Sequence, residues 1–249
     1  MKNNPLIPAV VLLLMLSPLL ACRASGQVAT LEPSALPTAT ATGTLPPTET
    51  PSPTDTPDLT ATQAYAGMQA VIQSLVARGY LGSADGSYYA LADFSAASAQ
   101  SDWYQPYPSR HEPTDFVLRA ALSWESASKN PNPSGCGVVF HLQENGDHYL
   151  VLVSTDGNVY LGSAISNEFT RLGTAYYGTG SSSGQAALTL VVVGHTYRVL
   201  VDDKSIGTFT GYESRLEEGG MGFTVVSGSN VGFGTRCSMT DMGLWQIAP

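Results

Sequence analysis

The chain has 249 residues, only 12% of them charged, and a formal net charge of −9 from 11 basic and 20 acidic side chains. A balance this acidic argues against nucleic acid as a partner, because basic residues must replace the counterions condensed on phosphates. It also predicts weak repulsion from anionic headgroups, so surface charge cannot hold the chain to a membrane. Low charge together with 25 glycines and 12 tyrosines is the composition of an extracellular β protein.

Met1-Lys2-Asn3-Asn4 carries one positive charge and precedes an apolar run from Ala9 to Leu16, bracketed by Pro8 and Pro18. These are the n-region and h-region of a signal peptide. The run is too short to cross the roughly 30 Å hydrocarbon core, which takes about 20 apolar residues. Leu19-Leu20-Ala21-Cys22 follows and resembles the bacterial lipobox, in which a small residue precedes the modified cysteine. The resemblance implies that residues 1–21 are removed, that Cys22 becomes the first mature residue, and that its thiol and amine are acylated, with palmitate or similar chains. It implies a lipoprotein of the cell membrane or cell envelope, facing outside the cytoplasm. Losing Lys2, the one charge in that segment, takes the formal charge from −9 to −10.

Residues 22–57 form a Pro/Thr-rich linker with repeats such as Pro-Thr-Glu-Thr-Pro-Ser-Pro-Thr-Asp-Thr-Pro, and no aromatic residue occurs before Tyr65. Such a segment cannot bury enough apolar surface to offset the entropy of ordering it, which predicts a disordered stalk of polyproline II character. At about 3.1 Å per residue, some forty residues to about Thr62 would reach up to roughly 120 Å. With Cys22 given to lipid, Cys136 and Cys237 are left as a pair for an oxidising compartment, 101 residues apart. The alternative, a thiol-based site, lacks a histidine at a suitable spacing.

Met68, Val71, Ile72, Leu75 and Val76 fall at helical spacing and predict an amphipathic helix within residues 58–80, capped by Asp58 or Thr60 and closed at Gly79. The period then switches to two. Phe116, Leu118, Ala120, Leu122 and Trp124 alternate with smaller or polar residues, and further strands are expected over 136–142, 149–153, 159–162, 188–193, 196–202, 206–210, 221–226, 231–236 and 239–247. Turn signals such as Asp156-Gly157-Asn158 and Asp202-Asp203-Lys204 separate them. Thr114-Asp115-Phe116-Val117-Leu118, Gly135-Cys136-Gly137-Val138-Val139-Phe140, the run from Tyr197 to Gly207, Gly220-Met221-Gly222-Phe223 and the terminal Leu244-Trp245 together resemble the concanavalin A-like lectin, laminin-G and glucanase jelly roll. The resemblance spans about Gly86 to Trp245 and implies an all-β sandwich over residues 81–249, with the helix outside it. It transfers a fold and no activity.

Glucanases of that fold place alternating carboxylates on one strand, so that period two aims them into one cleft. No such strand is found here: Glu213, Glu217 and Glu218 flank a loop, and Asp202 and Asp203 lie in a turn. His111, His141, His148 and His195 are scattered, with only His141 and His148 placed to face each other across a hairpin. Related lectins use calcium, for which Asp147, Asp156 and Asn158 are the hard donors available, although turn formation already explains them. No other cofactor is expected. Aromatic residues outside the expected strands stand out more: Trp103, Tyr104 and Tyr107 in one run, with Asp102, Gln105 and Arg110 as polar neighbours, and Tyr176-Tyr177 opening a Gly/Ser-rich loop. Flat rings offer apolar faces to sugar C–H groups. The expectation is a non-catalytic carbohydrate-binding module using those five rings. A structural or protein-interaction domain of a surface assembly is the second reading, and a glycoside hydrolase the third. Trp103 and Tyr104 closing the core against the helix is the alternative role for that pair.

Overall fold

A computed structural model describes residues 59–249, apart from 102, 130 and 131. The stretches expected to be signal and linker, with Cys22, and the acids Asp58 and Asp102, lie outside the described residues. The apolar stripe forms helix α1 (Leu59–Ala77), in which Met68, Ile72 and Leu75 are buried. Thr60 sits inside its first turn and does not precede it as a cap. Gly79, with φ +69°, donates its amide to the Val76 carbonyl at 2.9 Å, and Tyr80 donates to Leu75 at 2.8 Å. This pair of bonds is a Schellman closure, which requires a left-handed residue at that point.

Thirteen strands follow among the described residues: β1 (Gly86–Ala90), β2 (Phe94–Ser98), β3 (Tyr107–Pro108), β4 (Phe116–Ser126), β5 (Asn132–Leu142), β6 (His148–Ser154), β7 (Asn158–Ile165), β8 (Glu168–Tyr176), β9 (Ser183–Val193), β10 (Thr196–Val201), β11 (Lys204–Thr210), β12 (Gly220–Gly228) and β13 (Thr235–Ile247). They make two antiparallel sheets. One runs β1-β13-β4-β9-β10-β11, with β2 also paired to β13; the other runs β3-β12-β5-β6-β7-β8. The all-β jelly-roll sandwich expected from the sequence is the fold of this chain.

Period two explains the layers. Phe116, Leu118, Ala120, Leu122 and Trp124 of β4 enter the core between the sheets, where Phe140 stacks on Tyr149 at 5.4 Å and meets Tyr197 edge-on at 5.1 Å. The opposite face of the seven-stranded sheet would leave Val117, Val191, Leu200 and Trp245 in water, and α1 covers them with Met68, Ile72 and Leu75. Cys136 of β5 and Cys237 of β13 are bonded, with Cα atoms 5.4 Å apart, and so join the two sheets from inside the core.

Several expectations are corrected. The stretches 231–236 and 239–247 are not two strands: β13 is one, irregular between Thr240 and Gly243, where Asp241 takes φ 51°. Val231 lies ahead of it in a turn closed by the Gly234 amide on the Val231 carbonyl. Strands β1, β2, β3 and β8 have no counterpart in the sequence reading. The hairpin turn at Asp202-Asp203 does form, both residues having positive φ, 51° and 62°.

Candidate functional site

The site lies on the outer face of the six-stranded sheet, the side away from the core. Tyr149, Val151 and Val153 of β6 and Val159 and Leu161 of β7 point inward. Period two therefore turns Leu150, Leu152 and Tyr160 outward, where they join Val139 and Val226 in a separate apolar cluster. The segment 99–106, between β2 and β3, partly covers this cluster with the Tyr104 ring. Two bonds hold the segment down: Thr224 Oγ1 donates to the Gln105 carbonyl at 2.9 Å, and the Tyr104 hydroxyl lies 2.9 Å from His148 Nε2.

What remains open is a groove of about 360 Å³, a volume within the range of small-ligand sites. Leu150, Leu152, Tyr160 and Val226 line it from the sheet, with Pro133, Ser227 and Gly228 at one end. Trp103, Tyr104, Phe169 and Arg171 complete it. Trp103 is 49% exposed and Phe169 47%, so both present ring surface to solvent. Phe169 can lie across β7 because its ring occupies the space that a side chain on Gly162 would need. It also meets Tyr104 edge-on at 6.5 Å. The Arg171 guanidinium sits 4.5 Å above the Tyr160 ring, and the Tyr160 hydroxyl donates to Asp156.

His148 is buried beneath Tyr104, with Nδ1 2.7 Å from the Gly146 carbonyl. In the neutral tautomer Nδ1–H donates to that carbonyl and Nε2 accepts from Tyr104. Burial lowers the His148 pKa below 6.5, against smaller opposing effects of the Gly146 carbonyl and the Asp147 carboxylate. The same burial pushes the Tyr104 hydroxyl above the usual tyrosine range. Below pH 6.5 the unfolded chain takes up a proton that the folded chain resists. This contribution to stability is therefore complete above pH 6.5 and is lost as the pH falls below it. Urea unfolding at pH 7.5 and pH 5 should show a larger acid-induced loss in the wild type than in His148→Gln, and equal losses would refute this role.

The five candidate rings lie in different places. Trp103 and Tyr104 share the groove, but they pack against the six-stranded sheet and not against the helix, which covers the other sheet. Tyr107 belongs to β3, lies 5.4 Å from Phe94 and faces a different depression with Arg110 and His111. Tyr176 ends β8 opposite Asn158 and is exposed, outside the residues lining the groove. Tyr177 packs against the core, and its hydroxyl donates to the Ser154 carbonyl at 2.7 Å, its pKa pushed up to about 12 by burial and then by Asp156 and Asp202. Gln105 is exposed and contributes its carbonyl to the tether.

The calcium candidates are likewise separated. Asp147 precedes β6 and Asp156 follows it, roughly 20 Å or more apart along an extended strand. Asp147 accepts from Ser166 N–H and Asn145 Nδ2, and Asp156 from Asn158 N–H and Tyr160. His141 turns away from His148, its two ring nitrogens against the carbonyls of Leu216 and Thr114. Among the described residues no three His, Cys, Asp or Glu side chains converge.

No protein-family pattern matches the chain, and no curated protein sequence does. Among solved structures it is similar to the carbohydrate-binding module CBM66 from Bacillus subtilis, at 12% identity and a TM-score of 0.47, over 62% of this chain and 92% of that one. Sheep galectin-11 in complex with glycerol is similar at 14% identity and a TM-score of 0.38, over 59% of this chain and 99% of that one. The fructosyltransferase from A. japonicus is similar at 17% identity and a TM-score of 0.43, over 66% of this chain and 26% of that one. Likenesses of this order say nothing about what the groove holds.

Proposed function

We propose that this chain is a lipid-anchored protein of a bacterial cell envelope, facing outside the cytoplasm, whose sandwich domain is a non-catalytic carbohydrate-binding module. Residues 1–21 are its signal peptide, Cys22 its lipid attachment, and residues 22–57 the stalk that carries the domain away from the bilayer. The lipobox Leu19-Leu20-Ala21-Cys22 and the Pro/Thr repeats support the anchoring part of this reading.

One observation carries the binding part: the half-exposed rings of Trp103 and Phe169 bound a groove whose sheet side is apolar. A sugar ring has C–H faces that pack on aromatic surfaces and hydroxyls that remain at a polar rim, so rings of this kind at an open groove suit it. The reading is non-catalytic because glycoside hydrolysis works through a pair of carboxylates flanking the bond, and among the described residues no Asp or Glu lines this groove.

Retention of the full chain on a glycan array tests the proposal. Trp103→Ala and Phe169→Ala should each weaken binding roughly tenfold or more, the scale of an aromatic anchor. Both rings are half-exposed, so the thermal midpoints should change little. Wild-type retention by both variants would put the glycan outside this groove, and no retained glycan from a folded wild-type chain would instead favour the structural or protein-interaction role.

A further inference from the structure

We infer that the groove takes an acidic saccharide, a chain containing uronic acid or another carboxylated sugar, with the ligand carboxylate seated on Arg171. The inference rests on the carbohydrate reading above and narrows its ligand class. It comes from a contrast in charge. The protein carries 20 acidic residues against 11 basic ones, and four other depressions on its described surface are each lined by an aspartate: Asp93, Asp202, Asp203 or Asp241. Among the described residues the groove of Trp103 and Phe169 has no carboxylate in its lining, and the one formally charged lining residue among them is Arg171.

Arg171 is also held without being used up. Its guanidinium lies 4.5 Å over the Tyr160 ring, a cation–π contact that fixes the plane of the group. It has no ion pair or hydrogen bond with protein among the described residues, whereas Arg119 and Arg236 are both paired with carboxylates. The N–H donors of Arg171 therefore remain free for a ligand. A guanidinium fork matches a carboxylate with two parallel bonds, and such charge-assisted bonds are about twice as strong as neutral ones. Asp156, which accepts from the phenol of Tyr160, is also bonded to the Asn158 amide. His148, behind Tyr104, is biased toward its neutral form by burial and brings no second cation. One free fork beside two exposed rings suits a ligand with one carboxylate on an otherwise apolar-faced ring.

The full chain tests this on an array that prints polygalacturonate, alginate and glucuronate-bearing xylan, each beside its carboxyl-reduced counterpart, together with a synthetic peptide of residues 47–57. The expected result is retention on at least one acidic glycan about tenfold or more above its reduced partner, a difference lost in Arg171→Gln and partly kept in Arg171→Lys. Equal binding to acidic and reduced partners, or an unchanged preference in Arg171→Gln, overturns the acidic-ligand inference and leaves the carbohydrate reading standing. Silence across all glycans from a folded chain overturns both. Retention of the Pro/Thr peptide alone also overturns both and gives the groove to the chain's own stalk. Arg171 is exposed, so neither variant should fail to fold.

Discussion

Replacing Cys136 and Cys237 together by alanine should lower the stability of the folded domain by about 3–5 kcal/mol. The bond closes a loop of 101 residues, and a cross-link of that length removes much of the freedom of the unfolded chain. Both cysteines are buried in the central cluster, β5 belonging to one sheet and β13 to the other, so the bond fixes how the two layers sit on each other. Alanine avoids burying a hydroxyl in place of sulfur. In a domain of this size the loss corresponds to a thermal midpoint roughly 6–15 °C lower. Calorimetry of the double variant under oxidising conditions measures it, and a midpoint within about 2 °C of the wild type would refute the assignment of this stabilising role.

Metabolic labelling with palmitate should mark the full chain in a bacterial host and should be lost entirely in Cys22→Ala. The chemistry leaves no second attachment point, since the other two cysteines are bonded to each other. Each buried CH₂ contributes about 0.8 kcal/mol, and two or three acyl chains are enough for stable anchoring where one is marginal. A chain of net charge −9 gains nothing from anionic headgroups, so washing membranes in high salt should not release the labelled protein. Label that persists in Cys22→Ala, or a mature chain beginning at another residue, would refute the lipobox reading.

Those parts of the fold were legible where one face of an element is buried and the other is not. The Met68–Val76 stripe is such a case, and so is the alternation along β4, because each pattern must match a single apolar neighbour. Strand β8 escaped because it is the edge of its sheet and nearly every residue from Glu168 to Tyr176 is exposed, which erases the alternation. β1, β2 and β3 are short, exposed pieces that pair only at the margins of β13 and β12. The break expected between residues 236 and 239 is absent, since β13 runs through it from Thr235 and its irregularity comes later, between Thr240 and Gly243.

The groove was half legible for the same reasons. Trp103 and Tyr104 stood out as rings outside any strand pattern, but Phe169 and Arg171 belong to the unread strand β8. Tyr160 could have been found from sequence: it lies between the inward residues Val159 and Leu161, so period two sends it to the outer face. The five rings do not line one groove because neighbours in sequence diverge in space. Residues 103 and 104 face one groove and Tyr107 another, while Tyr177 turns into the core beside an exposed Tyr176.

Binding of a saccharide in this groove can be followed through the indole N–H resonances of the three tryptophans while a retained glycan is added. Trp103 is 49% exposed, whereas Trp124 and Trp245 are 6% and 4% exposed in the core and under the helix. A saturable shift of one indole signal is expected, the one missing in Trp103→Ala, with the other two unmoved. A bound glycan that leaves that signal in place, or that shifts the Trp245 indole instead, would put the site elsewhere on the sandwich.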